Sequence, residues 1–303
     1  MTTAIRTEGL TKRYLKMAAL RGVDLDVLEG AVYALVGPNG AGKTTAIKIL
    51  MNLIGATSGR AEVLGMDSKT IRGKAYTQIG YVSENQDIPE WMKVGGLLEY
   101  LREFYPSWDR ELENALVKQF ELPRERKIRA LSRGIKMKLA LASALAFHPK
   151  LIVLDEPFGG LDPLVRDQLI EGLLERVGET TVFLSSHDLA EIESFASHVG
   201  YLEEGKLRFS EEMTVLAGRF REVEITLEAD RGLLPAGLPG NWLQVKAAGG
   251  VVRLVESQFE EERTREQIRG AFGEVKEVAF RAMGLRAIFL AMARKGDDAQ
   301  GAG

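Results

Sequence analysis

Short, uninterrupted apolar runs alternate along this chain with longer segments whose apolar residues recur at helical spacing. Runs of the first kind occur at 32–36, 79–82, 151–154 and 181–185. Because a strand inside a parallel sheet is covered on both faces, its sequence is continuously apolar rather than alternating. The segment 46–53 is typical of the second kind, with the spacing of an amphipathic helix. The pattern predicts an α/β fold built on a sheet of buried strands.

Residues 87–147 interrupt this alternation because they have mainly helical periodicity. Leu97, Leu98 and Leu101 supply one apolar face, and Leu139 and Leu141 supply another. We therefore expect a helical subdomain inserted into an α/β domain that spans residues 1–218.

The last third of the chain shows a different pattern. Alternating segments near 223–227, 243–245 and 252–254 predict strands, and a helix, a further strand and a final helix follow. We expect a small α+β domain at 219–295, with a ferredoxin-like arrangement as the candidate. The glycine-containing polar tail, 296–303, is expected to be disordered.

Composition narrows the classes of function. The 303 residues suffice for two domains, and a formal net charge of -3 gives no general attraction to nucleic acid. With no cysteine, disulfides, thiol catalysis and cysteine metal sites are excluded. We expect neither a signal peptide nor a membrane-spanning helix, so that a membrane role would come through a partner.

Residues 37–45 read GPNGAGKTT, directly after the first apolar run. A strand, a glycine-rich loop and a helix in this order form a phosphate cradle, where backbone N–H groups converge beside the positive end of a helix. Lys43 is expected to reach the β- and γ-phosphates and Thr44 to ligate Mg²⁺. The predicted nucleotide-binding residues of the loop are Gly37, Pro38, Asn39, Gly40, Ala41, Gly42, Lys43, Thr44 and Thr45.

Two later strands end in polar residues suited to phosphate chemistry. The run at 151–154 is followed by Asp155 and Glu156, and ligands of open α/β sheets lie beyond such strand ends. Asp155 is predicted to bind Mg²⁺, and Glu156, facing the other way, to orient or deprotonate water. His187, at another strand end, is a candidate phosphate or water contact, with a capping or buried histidine as the alternative.

Two further features are ambiguous from chemistry alone. Tyr14 lies upstream of the phosphate loop and either stacks on an adenine ring or packs half-buried on the first sheet. Ser132 and Gly134 begin a helical segment and form either a second small anion site or an ordinary N-cap.

Taken together, these segments resemble the ATP-binding subunit of ABC transporters over residues 4 to about 215. In that resemblance Tyr14 corresponds to the aromatic residue that stacks on adenine, and 151–157 corresponds to the strand with the magnesium and catalytic acids. Ser132 and Gly134 would contact the nucleotide of a partner subunit, as would Asp162. His187 would be the switch histidine near the γ-phosphate. The catalytic set implied is therefore Lys43, Glu156 and His187.

The chain departs from the family pattern in two places. Where the family usually has a glutamine that touches Mg²⁺, this chain has Glu84, with Gln86 two residues on. Glu84 is the favoured metal contact and Gln86 the alternative. Where the family typically has LSGGQ, this chain has LSRGI, so that Arg133 carries a guanidinium at a position facing the partner's nucleotide.

The resemblance also implies a mode of action. Two such subunits, identical or different, would face each other head to tail around two ATP molecules with Mg²⁺ and would drive a separate membrane permease. Trp91 and Met92 either dock on that permease or pack within the helical subdomain. The chain would lie in the cytoplasm, at the inner face of the membrane. An exporter of a drug, peptide or lipid-like substrate is favoured over a soluble ABC-type ATPase that acts on ribosomes, DNA or assembly complexes.

Overall fold

All four apolar runs form neighbouring strands of one six-stranded sheet in the computed structural model of the chain. The structure describes residues 2–15, 17–84, 86–228, 234–235 and 237–298, with side chains described up to residue 292. Up to residue 212 the strands are β1 (Thr3–Tyr14), β2 (Met17–Leu28), β3 (Val32–Val36), β4 (Ser58–Val63), β5 (Met66–Asp67), β6 (Ile79–Ser83), β7 (Leu151–Asp155), β8 (Thr181–Ser186), β9 (His198–Glu203) and β10 (Lys206–Glu212). The helices there are α1 (Lys43–Leu50), α2 (Val94–Arg102), α3 (Arg110–Gln119), α4 (Arg133–Leu145), α5 (Pro163–Leu174) and α6 (Leu189–Ile192).

The six-stranded sheet has the order β10-β9-β3-β8-β7-β6. Strand β3 pairs in parallel with β8 and β9, and β7 pairs in parallel with β6 and β8. Every residue of β3, β7 and β8 is buried, as their apolar sequences predicted. Because parallel strands end at one edge of a sheet, the segments that follow β3, β7 and β8 meet there.

A second, antiparallel sheet has the order β2-β1-β4-β5. Helix α1 contacts β2 and β4 as well as β7 of the larger sheet. Its Ile47 and Leu50 belong to one buried cluster with Ile5, Leu25 and Val63. The start of α1, which carries Lys43, is therefore fixed by packing against both sheets.

The chain divides into two compact units, Met1–Ser210 and Glu211–Gly303. The predicted boundary lay later, at 218/219, but Arg219 donates hydrogen bonds to Glu211 at 2.8 Å and to the Ser257 carbonyl at 3.2 Å. These bonds attach residues 211–219 to the second unit.

The second unit contains an antiparallel sheet of order β12-β13-β11-β14. Its elements are α7 (Met213–Arg219), β11 (Arg221–Leu227), β12 (Trp242–Ala248), β13 (Val251–Glu256), α8 (Glu261–Phe272), β14 (Val275–Ala282) and α9 (Leu285–Asp298). A ferredoxin-like unit has the order β-α-β-β-α-β, of which β11, β12, β13, α8 and β14 are present. Residues 229–233 and 236, between β11 and β12, lie outside the described residues, so the ferredoxin-like arrangement stays a prediction. Helix α9 includes residues 296–298, which were expected to be disordered, and 299–303 lie outside the described residues.

Three helices, α2 to α4, lie between β6 and β7, where the helical insertion was predicted. Glu113 on α3 connects this helix to α2 and to the segments on either side of α3, and it is only 1% exposed. Its carboxylate accepts two hydrogen bonds from Arg102 and one from Arg124, each of 2.7 Å, and one from Trp108 at 2.9 Å. Burial by itself raises the pKa of Glu113, but the bonds from Arg102, Arg124 and Trp108 prevail and hold that pKa below its usual value.

Within the described residues, no helix has the length and apolar character needed to cross a bilayer.

We expect Glu113→Gln to lower the free energy of unfolding by about 2 kcal/mol, because it leaves two part-buried guanidinium groups without their counter-charge. The lowered pKa means that the carboxylate stabilises the fold fully above the ordinary glutamate pKa of about 4.3 and loses that effect as pH falls. Urea denaturation should therefore show the difference at pH 7 and a smaller one in acid. Glu99→Gln, at an exposed position of α2, is the control. Equal stability of the Glu113 variant and the parent at pH 7 would contradict this role.

Candidate functional site

The phosphate loop connects the end of β3, at Val36, to the start of α1, at Lys43. Gly42 precedes the helix with a φ of 111°, in the left-handed region. A Cβ at Gly42 would lie 2.4 Å from the Ala19 carbonyl oxygen, so no other residue fits. The first turn of α1 has no acidic residue, and its positive end therefore stays available to an anion.

The ammonium group of Lys43 lies inside the loop, and the side chain is only 5% exposed. Its Nζ donates to the carbonyl oxygens of Gly37 at 2.7 Å and Pro38 at 3.3 Å, and lies 3.1 Å from Oε1 of Glu156. An ammonium has three donors, and these three acceptors occupy them. The structure thus brings together the predicted phosphate-binding lysine and the predicted catalytic acid.

Asp155, at the end of β7, is buried beside Thr44. Its Oδ1 accepts a hydrogen bond from the Thr44 hydroxyl at 3.0 Å and one from the Ser185 hydroxyl at 2.7 Å. Burial raises the pKa of Asp155, and the two hydroxyl bonds offset only part of that effect. Ser185 was not predicted to take part in the site. The feature of the sequence that could have indicated it is a hydroxyl side chain at the end of a buried strand, and the sheet register places this residue directly opposite Asp155.

Thr44 and Asp155 together present a hydroxyl and a carboxylate oxygen, the donors that suit Mg²⁺. The described residues contain no cluster of three or more acidic, histidine or cysteine side chains that could enclose a metal. Mg²⁺ usually takes one or two carboxylates and completes its shell with phosphate and water oxygens. Glu84, the favoured third metal contact, accepts a hydrogen bond from Arg133, with Oε1 2.7 Å from Nη2, and its role at the metal stays a prediction. The alternative, Gln86, is exposed.

Glu156 has a φ of 51°, an uncommon value for a residue with a side chain. The Ser185 hydroxyl accepts a hydrogen bond from its backbone N–H at 2.9 Å and helps to hold that conformation. The turn aims the Glu156 carboxylate at Lys43 through one oxygen and at Nδ1 of His187, 2.7 Å away, through the other. The hydrogen bond to Glu156 raises the pKa of His187. The predicted catalytic set is therefore contiguous in the structure.

The residues predicted to contact a partner's nucleotide lie at the exposed starts of two helices. The Ser132 hydroxyl accepts a hydrogen bond from the N–H of Ile135 at 3.4 Å at the start of α4. Asp162 accepts one from Leu164 at 2.9 Å at the start of α5. Gly134 packs against Val165, where a Cβ would lie 3.0 Å from a side-chain carbon. The starts of α4 and α5 are therefore neighbours on the surface.

The remaining predicted site residues, Tyr14, Trp91 and Met92, make no contact with the described residues that assigns them a role. Tyr14 ends β1 in the turn to β2 and is 42% exposed, with the Lys12 ammonium 5.0 Å from its ring centre. Trp91 is 75% exposed, whereas Met92 is partly buried and its carbonyl accepts the N–H of Ile128. The adenine-stacking and docking roles of these residues stay predictions.

Comparison with known proteins identifies the family. Residues 20–159 match the family model described as ABC transporter. The chain is 30% identical over 216 residues to the ABC transporter ATP-binding protein YtrB of Bacillus subtilis (strain 168), covering 71% of this chain and 74% of that protein. It is 35% identical over 215 residues to the bacitracin transport ATP-binding protein BcrA of Bacillus licheniformis, covering 68% and 69%.

A third relative matches along nearly the whole length. The daunorubicin resistance ATP-binding protein DrrA3 of Streptomyces coeruleorubidus is 29% identical over 326 residues, covering 98% of this chain and 97% of that protein. Among solved structures, one described as the ATP-binding subunit of an ABC transporter has a TM-score of 0.66 at 26% identity, covering 71% of this chain and 92% of that one. The resemblance inferred from the motifs is confirmed: the chain belongs to the ATP-binding subunits of ABC transporters and is an ATP-hydrolysing enzyme.

Proposed function

We propose that this subunit forms a dimer, with itself or a second ATPase subunit, which encloses two ATP molecules and powers a separate membrane permease. The observation that carries the proposal is the Lys43–Glu156–His187 set beside the phosphate loop, on a chain whose Ser132 and Asp162 are exposed at helix starts. Exposed helix starts attract phosphate oxygens, and a second chain would bring its own nucleotide to them. A similar solved structure, at 25% identity and a TM-score of 0.62, is that of a dimeric bacterial ABC transporter cassette.

The proposed chemistry is in-line attack of water on the γ-phosphate. Lys43 exchanges Glu156 for the β- and γ-phosphates, and the freed carboxylate orients the attacking water or takes its proton. Thr44 and Asp155 would hold Mg²⁺, which neutralises developing charge on the phosphate oxygens. His187, already bonded to Glu156, contacts the γ-phosphate and positions the acid. Tyr14 stacks on the adenine ring.

We further propose that the permease is an exporter of a drug, peptide or lipid-like substrate. Relatives named for daunorubicin resistance and bacitracin transport support this direction. The subunit would then act at the inner face of the cell membrane, held there by its permease. Trp91, as an exposed aromatic residue on the loop before α2, is suited to bury itself against such a partner.

We expect Glu156→Gln to slow ATP hydrolysis by about 100-fold or more, because an amide neither takes a proton nor orients water as a carboxylate does. The same variant should accumulate an ATP-bound dimer in sedimentation experiments with ATP and Mg²⁺. Asp167→Asn, which removes an exposed acid from α5, should leave both measurements unchanged. Normal turnover of the Glu156 variant would remove this residue from the catalytic role.

In the nucleotide-free protein, NMR titration should find the pKa of His187 above the ordinary value of about 6.5, because the Glu156 carboxylate stabilises the protonated ring. Glu156→Gln should bring that pKa down. His148 and His198, the other histidines, serve as internal references. An unchanged His187 pKa in the variant would show that the hydrogen bond to Glu156 does not form in solution.

Purification of the tagged chain in mild detergent should retain a multi-span membrane protein, and Trp91→Ala should reduce that recovery by about tenfold, since an exposed aromatic anchor is lost. Leu53→Ala changes a residue that is 54% exposed elsewhere and is the matched control. Recovery of ribosomes or nucleic acid in place of a membrane protein would favour the soluble ATPase function.

A further inference from the structure

The two departures from the family pattern, Glu84 and Arg133, bind each other. Nη2 of Arg133 lies 2.7 Å from Oε1 of Glu84, so that the two side chains form a hydrogen-bonded ion pair. Arg133 is the first residue of α4, and Glu84 directly follows β6. The pair therefore connects the helical subdomain to the sheet that carries the ATP site.

The same guanidinium also lies against the turn that follows the catalytic acid. Gly160 in this turn has a φ of 66°, and a Cβ there would lie 3.1 Å from Nη1 of Arg133. Glycine thus permits both the left-handed backbone and the close approach of the arginine. Glu84 in turn donates its N–H to the Asp155 carbonyl at 3.0 Å. Arg133 thereby touches segments that are attached to both acids of the site.

The ion pair is accessible and easily exchanged. The side chains of Arg133 and Glu84 are 49% and 42% exposed, and pairs in such positions contribute little net stability because water competes for both charges. A neighbouring ion pair, with 2.5 Å between Nζ of Lys136 and Oε1 of Glu90, also joins α4 to the segment between β6 and α2. The next cation along α4 therefore has an anionic partner of its own. A guanidinium binds carboxylate and phosphate oxygens with the same planar fork.

We propose that Arg133 has two alternative anionic partners. In the open subunit it binds Glu84, and in the closed dimer it leaves Glu84 for the triphosphate held by the second subunit. This inference rests on the dimer proposed above. Glu84 then has a defined purpose at its position: it neutralises the added guanidinium until a triphosphate replaces it, and closure of the dimer releases the contact between α4 and the segment after β6.

The test measures ATP-dependent dimerisation by sedimentation, in the Glu156→Gln protein with ATP and Mg²⁺, so that hydrolysis does not interfere. Glu84→Gln keeps the shape of the side chain but removes its charge, and should tighten the dimer about two- to tenfold because Arg133 no longer has to leave an ion pair. Arg133→Gln should weaken the dimer about three- to tenfold, and Arg133→Lys, which keeps the charge, should lie between Arg133→Gln and the parent.

The double variant separates this exchange from a simple effect of Glu84 on the nearby triphosphate. In the Arg133→Gln background, Glu84→Gln should change the dimerisation constant by less than about twofold, since the two residues act as one unit. Glu90→Gln is the matched control, because it breaks the neighbouring ion pair and should leave the constant unchanged. An equal effect of Glu84→Gln with and without Arg133, or an Arg133→Gln dimer as tight as the parent, would overturn the proposal.

One outcome distinguishes this inference from the function on which it rests. If the Glu156→Gln parent itself stays monomeric with ATP and Mg²⁺, the proposed dimer is wrong and the exchange falls with it. If the parent dimerises and the Glu84 and Arg133 variants all dimerise alike, only the exchange is wrong.

Discussion

The ion pair between Lys43 and Glu156 is the interaction on which the rest of the site depends. Both side chains are largely withdrawn from water, with exposed fractions of 5% and 14%. Removing two charges from water costs several kcal/mol, and their attraction offsets this only when the geometry is good. In the function proposed above, a triphosphate, which carries more negative charge than one carboxylate, displaces Glu156 from Lys43.

Everything around this pair holds its two members in position. Lys43 begins a helix that packs between two sheets, and Glu156 occupies a left-handed backbone conformation that Ser185 supports. Strain of this kind persists only where the surrounding structure imposes it, and it recurs at functional sites. The buried Asp155 accepts hydrogen bonds from Thr44 and from Ser185 and so connects the start of α1 to β8. The parallel sheet thus supplies a rigid edge, and the chemistry depends on charges placed along it.

The sequence predicted those parts of the molecule that follow from local chemistry. Continuous apolar runs indicated the strands β3, β6, β7 and β8, and the strand ends located Asp155, Glu156 and His187. Strands β1, β4 and β5 were not found because their residues are mixed in polarity and pair through long-range contacts, such as Ile5 with Val63, that no local pattern reveals.

The roles of Ser185 and Glu84 also required the structure. Ser185 is set by sheet register, which places it opposite Asp155. Glu84 was predicted to contact the metal from its place after β6, and this prediction is untested; its ion pair with Arg133, 49 residues away along the chain, was not predicted. Pairing between distant polar residues depends on the packed fold, and single-sequence patterns carry little information about it.

The most direct test of the account is a crystal structure of the Glu156→Gln protein with ATP and Mg²⁺. The account predicts two chains facing head to tail, with Lys43 of one chain on the β- and γ-phosphates and the Ser132 helix start of the other chain on the same triphosphate. A nucleotide enclosed by one chain alone, with the protein monomeric in solution, would contradict it.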